Sequence, residues 1–293
     1  MSDSSPKYTV LELIQLMTDF LEKKGIENPR LNAELLAGKI FRLDRVQLYL
    51  NFEKPVSEIE LAQLRNLLKR RGNYEPLQYL IGETEFYSLP FKVTPKTLIP
   101  RPETEILVDF IIENYSTFFP DIKEIKILDI GTGSGNIAVA LAKNIPNSQI
   151  TAIDIDEQTI AIAEENSTKN DVRDKIQFIK QDIFSELPKN FDKYQIIVGN
   201  LPYISAAEMK TLPHEVKDFE PHTALFGGED GLDAFRRLQE ITDQILSPGG
   251  LLALEIGASQ GEAVKQIFAK LGRFSHTEII RDLNGLPRVF WAR

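Results

Sequence analysis

Two short stretches of this chain could do chemistry together. The first is a glycine-rich turn, Asp129-Ile130-Gly131-Thr132-Gly133-Ser134-Gly135; the second is Asn200-Leu201-Pro202-Tyr203, which follows the apolar run Ile196-Ile197-Val198. A strand that feeds into Gly-x-Gly-x-Gly and then a helix leaves no Cβ in the way of a ligand. The helix start also presents free backbone N–H groups. Asp154 closes the next apolar run, 19 residues past Gly135, where a carboxylate can accept from two ribose hydroxyls. Asp129 is placed to meet a cofactor's ammonium group, or is a plain turn residue. Asp182, in Gln181-Asp182-Ile183-Phe184, can accept from an adenine amine with Ile183 over the ring, or it caps the next turn. Gly133 to Ala138 also satisfies G-x-G-x-x-A, so a nicotinamide dinucleotide remains open as the ligand.

The second stretch offers acceptors. The Asn200 side-chain carbonyl is a neutral acceptor. Leu201 precedes a proline and is biased toward extended backbone, which can turn its carbonyl into the same pocket. Tyr203 adds an aromatic face for a planar group. Two acceptors on one –NH₂ would fix both hydrogens and leave the lone-pair direction facing a methyl donor. An amide nitrogen is a poor nucleophile, so orientation must supply much of the rate, of which aligned reactants can gain roughly 7–11 kcal/mol. The pairing with the glycine turn points to methyl transfer onto nitrogen; a proline turn with Asn as its cap is the structural alternative.

The flanking patterns predict the elements that position these groups. Residues 8–74 read as short amphipathic helices packing as a small bundle: Thr9 with Glu12 and Ser57 with Glu60 form capping boxes,, and Asn28-Pro29 reads as an N-cap and first helical residue. The second of those boxes opens a helix ending near Gly72. Residues 84–98, with Phe86, Tyr87, Leu89, Phe91 and Val93, read as an extended hairpin broken by Pro90 and Pro95,. From Pro102 onward helices alternate with strands predicted at 125–130, 149–154, 176–180, 194–198, 251–256, 273–281 and 287–292. The helices are predicted at 102–118, 136–144, 157–168, 230–245 and 260–271. Such alternation implies an α/β fold with a doubly wound, mostly parallel seven-stranded sheet. It is preceded by an all-α bundle (1–82) and a β-hairpin linker (83–100), with the catalytic domain at 101–293.

Composition excludes several classes. The chain has 293 residues, no cysteine and three histidines, His214, His222 and His276, none at ligand spacing, so neither disulfides nor a metal site is expected. Net charge is −9; residues 1–74 carry 12 basic and 10 acidic side chains, leaving −11 for 75–293. That balance predicts no direct nucleic-acid binding through phosphates. The cluster Arg65, Lys69, Arg70, Arg71 is the one basic patch; it reads as a solvated helix end or as a partner surface. No apolar window is long enough to span a membrane, and Met1 to Pro6 has no signal-like pattern. A cytoplasmic location is expected.

The combined motifs resemble the HemK-type protein-(glutamine-N5) methyltransferases that modify peptide chain release factors. Beyond the two motifs, the resemblance covers Glu75 to Gly82, Leu98-Ile99-Pro100-Arg101-Pro102-Glu103-Thr104-Glu105, Glu220 to Leu225, Gly228, Asp230 to Leu232, Pro248-Gly249-Gly250, Gly285 and Arg288. It implies a class I methyltransferase-like fold and S-adenosyl-L-methionine as cofactor. By resemblance, Asp129, Gly131, Thr132, Gly133, Ser134, Gly135 and Asp154 hold that cofactor, with Asp182 and Ile183 near adenine. Asn200, Leu201, Pro202 and Tyr203 hold the amide of the glutamine in the release factor's Gly-Gly-Gln loop, Asn200 bordering the cofactor as well. The helical bundle helps grip that protein partner. The family's usual tetrapeptide is Asn-Pro-Pro-Tyr; Leu201 stands at its second place, a form also common in enzymes that dimethylate adenine N6 in ribosomal RNA. Adenine methylation, a nicotinamide-dependent oxidoreductase and a ribosome-associated binding module are the alternatives.

Overall fold

A computed structural model describes residues 8–188 and 191–293; Met1 to Pro6, read above as lacking a signal pattern, lie outside the described residues. The chain forms two compact units, one running up to Glu83 and including Pro213–Phe219, the other comprising Thr84–Leu212 and Glu220–Arg293.

The first unit is helical: α1 (Val10–Lys23), α2 (Pro29–Phe41), α3 (Arg45–Leu50), α4 (Glu58–Arg71) and α5 (Leu77–Ile81). Both expected capping boxes are formed, Thr9 with Glu12 and Ser57 with Glu60. A third, Asp44 with Gln47, opens α3, an element too short to show in the periodicity. Asn28 differs from expectation. It is left-handed (φ 49°) with no side-chain cap bond, and its carbonyl instead accepts from the Asn32 amide N–H and side chain. The buried apolar faces of α1, α2 and α4, including Ile14, Leu21, Leu36 and Leu64, make this unit's core.

Two charged residues sit inside that core. Glu34 is 1% exposed and is held by Arg30, Arg45 and Tyr49. Burial penalises its charge, but these hydrogen bonds outweigh the penalty and hold its carboxyl below the ordinary range,. Arg71 corrects the reading of a uniform basic patch. It is 4% exposed, with its guanidinium on Asn32 Oδ1, the Glu75 carbonyl and Glu215. Arg70 pairs with Glu75.

The second unit opens with a hairpin, β1 (Glu83–Phe86) and β2 (Leu89–Lys92). Its two-residue turn puts both Tyr87 (φ 53°) and Ser88 (φ 57°) in the left-handed region, as a type I′ turn requires. Phe86 and Phe91 are buried in this unit's core. Then follow α6 (Glu103–Phe118), β3 (Ile125–Ile130), α7 (Asn136–Asn144), β4 (Ser148–Asp154), α8 (Glu157–Lys169), β5 (Ile176–Lys180) and β6 (Tyr194–Gly199). The single turns α9 (His214–Lys217, in the first unit) and α10 (His222–Leu225) lead to α11 (Asp233–Ile245), β7 (Leu246–Glu255), α12 (Gly261–Ala269), β8 (Thr277–Arg281) and β9 (Pro287–Ala292).

The sheet has the order β5-β4-β3-β6-β7-β9-β8, parallel from β5 to β7, with β9 alone reversed, pairing antiparallel with both β7 and β8. This is the doubly wound seven-stranded sheet that the alternation predicts. Period-two alternation sends Ile125, Ile127, Ile196 and Val198 to one core and Leu128, Ile130 and Ile197 to the other, which is why the central strands read as unbroken apolar runs. Three boundaries move by three residues or more, β8 starting at Thr277 rather than 273. β7 starts at Leu246 rather than 251, because Tyr194 pairs with Leu246 before a register shift brings Ile196 opposite Leu251. α11 starts at Asp233 rather than 230, because the Asp230 carboxylate accepts from the Leu232 amide N–H and closes a preceding turn.

Glu34 generates a prediction. Its depressed folded-state pKa makes its contribution fully present above the unfolded value of 4.5 and lost as pH falls through the folded value. Glu34→Gln is expected to destabilise the protein at pH 7 by about 1.5–3 kcal/mol, the scale of charged hydrogen bonds. The difference should shrink toward pH 3, measured as paired urea-unfolding curves.

Candidate active site

The strand order of the sheet reverses between the parallel neighbours β3 and β6, and ligands of such sheets bind beyond the carboxyl ends of the strands at that point. Register makes the convergence explicit. Ile130 pairs with Ile153 on one side and Gly199 on the other. The glycine turn after Ile130, Asp154 after Ile153 and Asn200 after Gly199 therefore emerge at one edge. A cavity of about 510 Å³ lies there, within the range of small-molecule sites.

Gly131, Gly133 and Gly135 are all left-handed (φ 70°, 55° and 81°). A Cβ on Gly135 would lie 3.1 Å from the Ala163 Cβ, so this glycine lets the turn settle onto α8. Asn166 of α8, fully buried, donates to the Ser134 carbonyl and also pairs with the Lys92 backbone. One side chain thus fixes both the glycine turn and the end of β2. Asp154 binds the turn from the other side, accepting from the Gly133 and Asp156 amide N–H groups at 3.0 and 3.1 Å. Burial pushes its pKa up.

The cavity wall includes Gly131, Thr132, Gly133, Ser134, Asp154, Asp182, Ile183, Asn200, Leu201 and Pro202. Asp182 caps the next turn, one oxygen accepting from the Phe184 amide N–H at 2.8 Å, and it also lines the cavity. Three expected residues are not on the wall. Gly135 is the α7 cap behind it. Tyr203 is half-buried and directs its hydroxyl to Glu255 Oε1 at 3.1 Å rather than facing the cavity. Asp129 is fully buried, with Oδ2 accepting from Thr132 Oγ1 at 2.6 Å and Oδ1 without a hydrogen-bond partner. Burial, which Thr132 and the Ala138 amide only partly offset, pushes the Asp129 carboxyl up to about 7,.

Asn200 is oriented by a residue that the motif reading passed over. Its Nδ2 donates to Thr104 Oγ1 at 3.2 Å, and Thr104 in turn donates to Glu255 Oε2 at 2.5 Å. Thr104 and Glu255 are 1% and 2% exposed. Burying a carboxylate costs several kcal/mol, and hydrogen bonds at about 1.5–3 kcal/mol each from Thr104 and Tyr203 offset it. Leu201 is 2% exposed and packs in the β6–β7 core; its carbonyl accepts no hydrogen bond from the described residues. A Cβ on Gly227 would stand 2.6 Å from the Pro202 carbonyl oxygen, so the loop after the tetrapeptide needs glycine to approach it. Arg101, on the opposite wall, is neutralised by Glu220 at 2.5 Å.

Thr104 lies inside the Leu98–Glu105 segment, and Glu255 is the one acid in the apolar run Leu251 to Ile256. That isolated charge was the available signal. Among the described residues no group of three or more His, Asp or Glu side chains is placed to hold a metal ion.

The chemistry of the wall distinguishes the cofactors left open above. Asp154, Asp156 and Asp182 line it and Asp129 is buried behind it, against one lysine, Lys96, and an Arg101 that is paired with Glu220. Such a site suits a cationic nucleoside and repels a diphosphate. An unpartnered buried carboxylate oxygen and a glycine turn with free space over Gly133 fit S-adenosylmethionine, which carries an ammonium and a sulfonium.

Comparisons with known proteins agree with this geometry. Residues 12–82 match the family model described as the PrmC N-terminal domain, and residues 121–271 match a methyltransferase domain. The chain is 38% identical over 293 residues to the release factor glutamine methyltransferase of Geobacter sulfurreducens, covering 100% of this chain and 99% of that one. It is 38% identical to its counterpart in Rhodopirellula baltica, covering 98% and 97%. Among solved structures, the hMettl16 catalytic domain shares the fold at a TM-score of 0.54 and 15% identity, over 80% of this chain and 82% of that one. With full-length identity of this order to curated members, the chain belongs to the release factor glutamine methyltransferase family.

Proposed function

We propose that this protein transfers a methyl group from S-adenosyl-L-methionine to the side-chain amide nitrogen (N5) of the glutamine in the Gly-Gly-Gln loop of peptide chain release factors. The observation that carries the reading is the Asn200 carboxamide on the cavity wall. Its nitrogen is engaged by Thr104, and its oxygen is left to accept.

When bound, the cofactor supplies an electrophilic methyl group. Asp154 accepts from its ribose hydroxyls, the turn from Gly131 to Ser134 leaves room for it, and Asp182 with Ile183 borders the adenine. Asn200 Oδ1 and the Leu201 carbonyl accept the two hydrogens of the glutamine amide and set the nitrogen's approach. As charge develops on that nitrogen, the same fixed acceptors stabilise it without reorganising; the S–CH₃ bond would break as the N–CH₃ bond forms, and the amide nitrogen would then release one proton to solvent. Leu201 keeps a carbonyl at the second position of the tetrapeptide, so the clamp does not need proline there. Tyr203 takes a supporting place behind the wall, through Glu255.

The helical unit would grip the protein substrate. The −11 charge over residues 75–293 disfavours binding through phosphates, which supports a protein rather than a nucleic-acid substrate. Among the described residues no helix is long and apolar enough to cross a membrane. Release factors are met in the cytoplasm, and we assign the protein there.

The direct test offers labelled S-adenosylmethionine with purified release factor and ribosomal RNA side by side, followed by mass spectrometry. A gain of one methyl on the Gly-Gly-Gln glutamine is expected; label in adenine and none in protein would overturn the assignment. Asn200→Ala should cut turnover at least about 100-fold, the scale of losing a preorganised transition-state partner, while cofactor affinity by calorimetry stays nearly unchanged. Asp154→Ala should instead weaken cofactor binding by about 10–100-fold, the loss of a charged hydrogen bond. Asp129, raised to about 7, yields a pH prediction. An ammonium arriving near it favours the ionised form, so cofactor binding near pH 7 should release protons. Calorimetry in buffers of different ionisation enthalpy should detect the release, and Asp129→Asn should abolish it.

A further inference from the structure

A carboxamide is nearly symmetric in shape, so Asn200 can present either its oxygen or its –NH₂ to the cavity with little change in packing. Only the oxygen can hold an amide hydrogen of the acceptor. A threonine hydroxyl alone does not settle the choice, because it can donate or accept. Thr104 has one hydrogen, however, and Glu255 Oε2 takes it at 2.5 Å. Glu255 Oε1 takes the Tyr203 hydroxyl hydrogen. An ionised Glu255 has none to return, so Thr104 offers Asn200 only lone pairs. Asn200 must then turn Nδ2 toward Thr104, at 3.2 Å, and Oδ1 away from it. With Glu255 ionised, the order of the chain is fixed from its buried end.

We propose that Thr104 and Glu255 are positioning residues that determine which end of the Asn200 carboxamide faces the acceptor nitrogen. This rests on the clamp reading of Asn200 above. The direction of the chain depends on the charge of Glu255. The groups around that carboxyl are Thr104 and Glu103 of α6, Tyr203 after β6 and Arg288 of β9. Burial raises its pKa and Glu103 adds to this, while the bonds from Thr104 and Tyr203 and the charge of Arg288 oppose it. A protonated Glu255 can donate to Thr104, which frees the Thr104 hydrogen to point at Asn200 and lets the amide turn over. Activity should therefore fall on the acid side as Glu255 takes up its proton.

The test compares Thr104→Val and Thr104→Ser with the parent protein. Thr104→Val keeps the shape and removes the polar link. It should lower kcat on release factor by about 10–100-fold, the cost of a misplaced reacting group, with cofactor affinity unchanged and the melting temperature lowered by the loss of the bond to Glu255. It should also flatten the acid limb of the pH profile, because Asn200 no longer senses Glu255. Thr104→Ser should restore both kcat and the limb. A second measurement needs no acceptor substrate. In ¹⁵N-asparagine-labelled protein, the Asn200 side-chain signals, assigned by their loss in Asn200→Ala, should show slow water exchange in the parent and in Thr104→Ser, and fast exchange in Thr104→Val. Wild-type kcat in Thr104→Val, equal impairment of the Val and Ser variants, or unchanged exchange would each overturn the proposal. A parent protein inactive on release factors but with protected Asn200 protons would instead count against the substrate assignment.

Discussion

β3 lies between two parallel ladders, and the site depends on their register. Ile130 stands opposite both Ile153 and Gly199, so the glycine turn, Asp154 and Asn200 leave the sheet at the same level. A slip of one residue in either ladder would flip side chains to the opposite face. It would carry Asp154 or Asn200 away from the turn. The two apolar cores guard against such a slip, because β3 sends Ile125 and Ile127 into one and Leu128 and Ile130 into the other. Packing that serves stability thereby also sets the geometry of the chemistry.

Around that frame the protein concentrates negative charge where it is costly to keep. Asp129 and Glu255 are almost fully buried and Asp154 is raised by burial. Each answers the cost differently. Asp154 spends its oxygens on backbone amides and so shapes the turn. Glu255 is satisfied by two hydroxyls. Asp129 retains an oxygen with no partner, a cost that a cationic ligand can relieve. This graded satisfaction separates a structural carboxylate from one kept ready for a ligand.

The helical unit shows the opposite use of charge. Glu34 and Arg71 are buried with full sets of partners, and Arg71 reaches Glu215, far along the chain, through a bond at 2.7 Å. Arg71, which a sequence reading places on a solvated helix end, is thus an internal fastener, while Arg65, Lys69 and Arg70 stay exposed. Exposed apolar residues such as Val46, Leu50 and Ile59 occupy the surface instead.

Much of this was legible in the sequence because it is local. Capping boxes join residues three apart, the glycine turn requires left-handed backbone, and apolar runs of strand length specify buried strands. All of these are set by neighbours in the chain, and the seven strands and both motifs follow from them. The partners of the motifs were not legible. Thr104 meets Asn200 across 96 positions and Glu255 across 151, and no periodicity links such pairs. A threonine in a proline-rich segment and a lone acid in a strand read as unremarkable until the sheet brings them together. The sequence by itself determined which groups could bind a nucleoside and hold an amide. Only the tertiary structure decided that Tyr203 turns away from the cavity, that Asp129 is buried behind its wall and that the Asn200 amide nitrogen meets Thr104. Those outcomes depend on burial and on hydrogen bonds between distant strands, and they exist only once the sheet has closed.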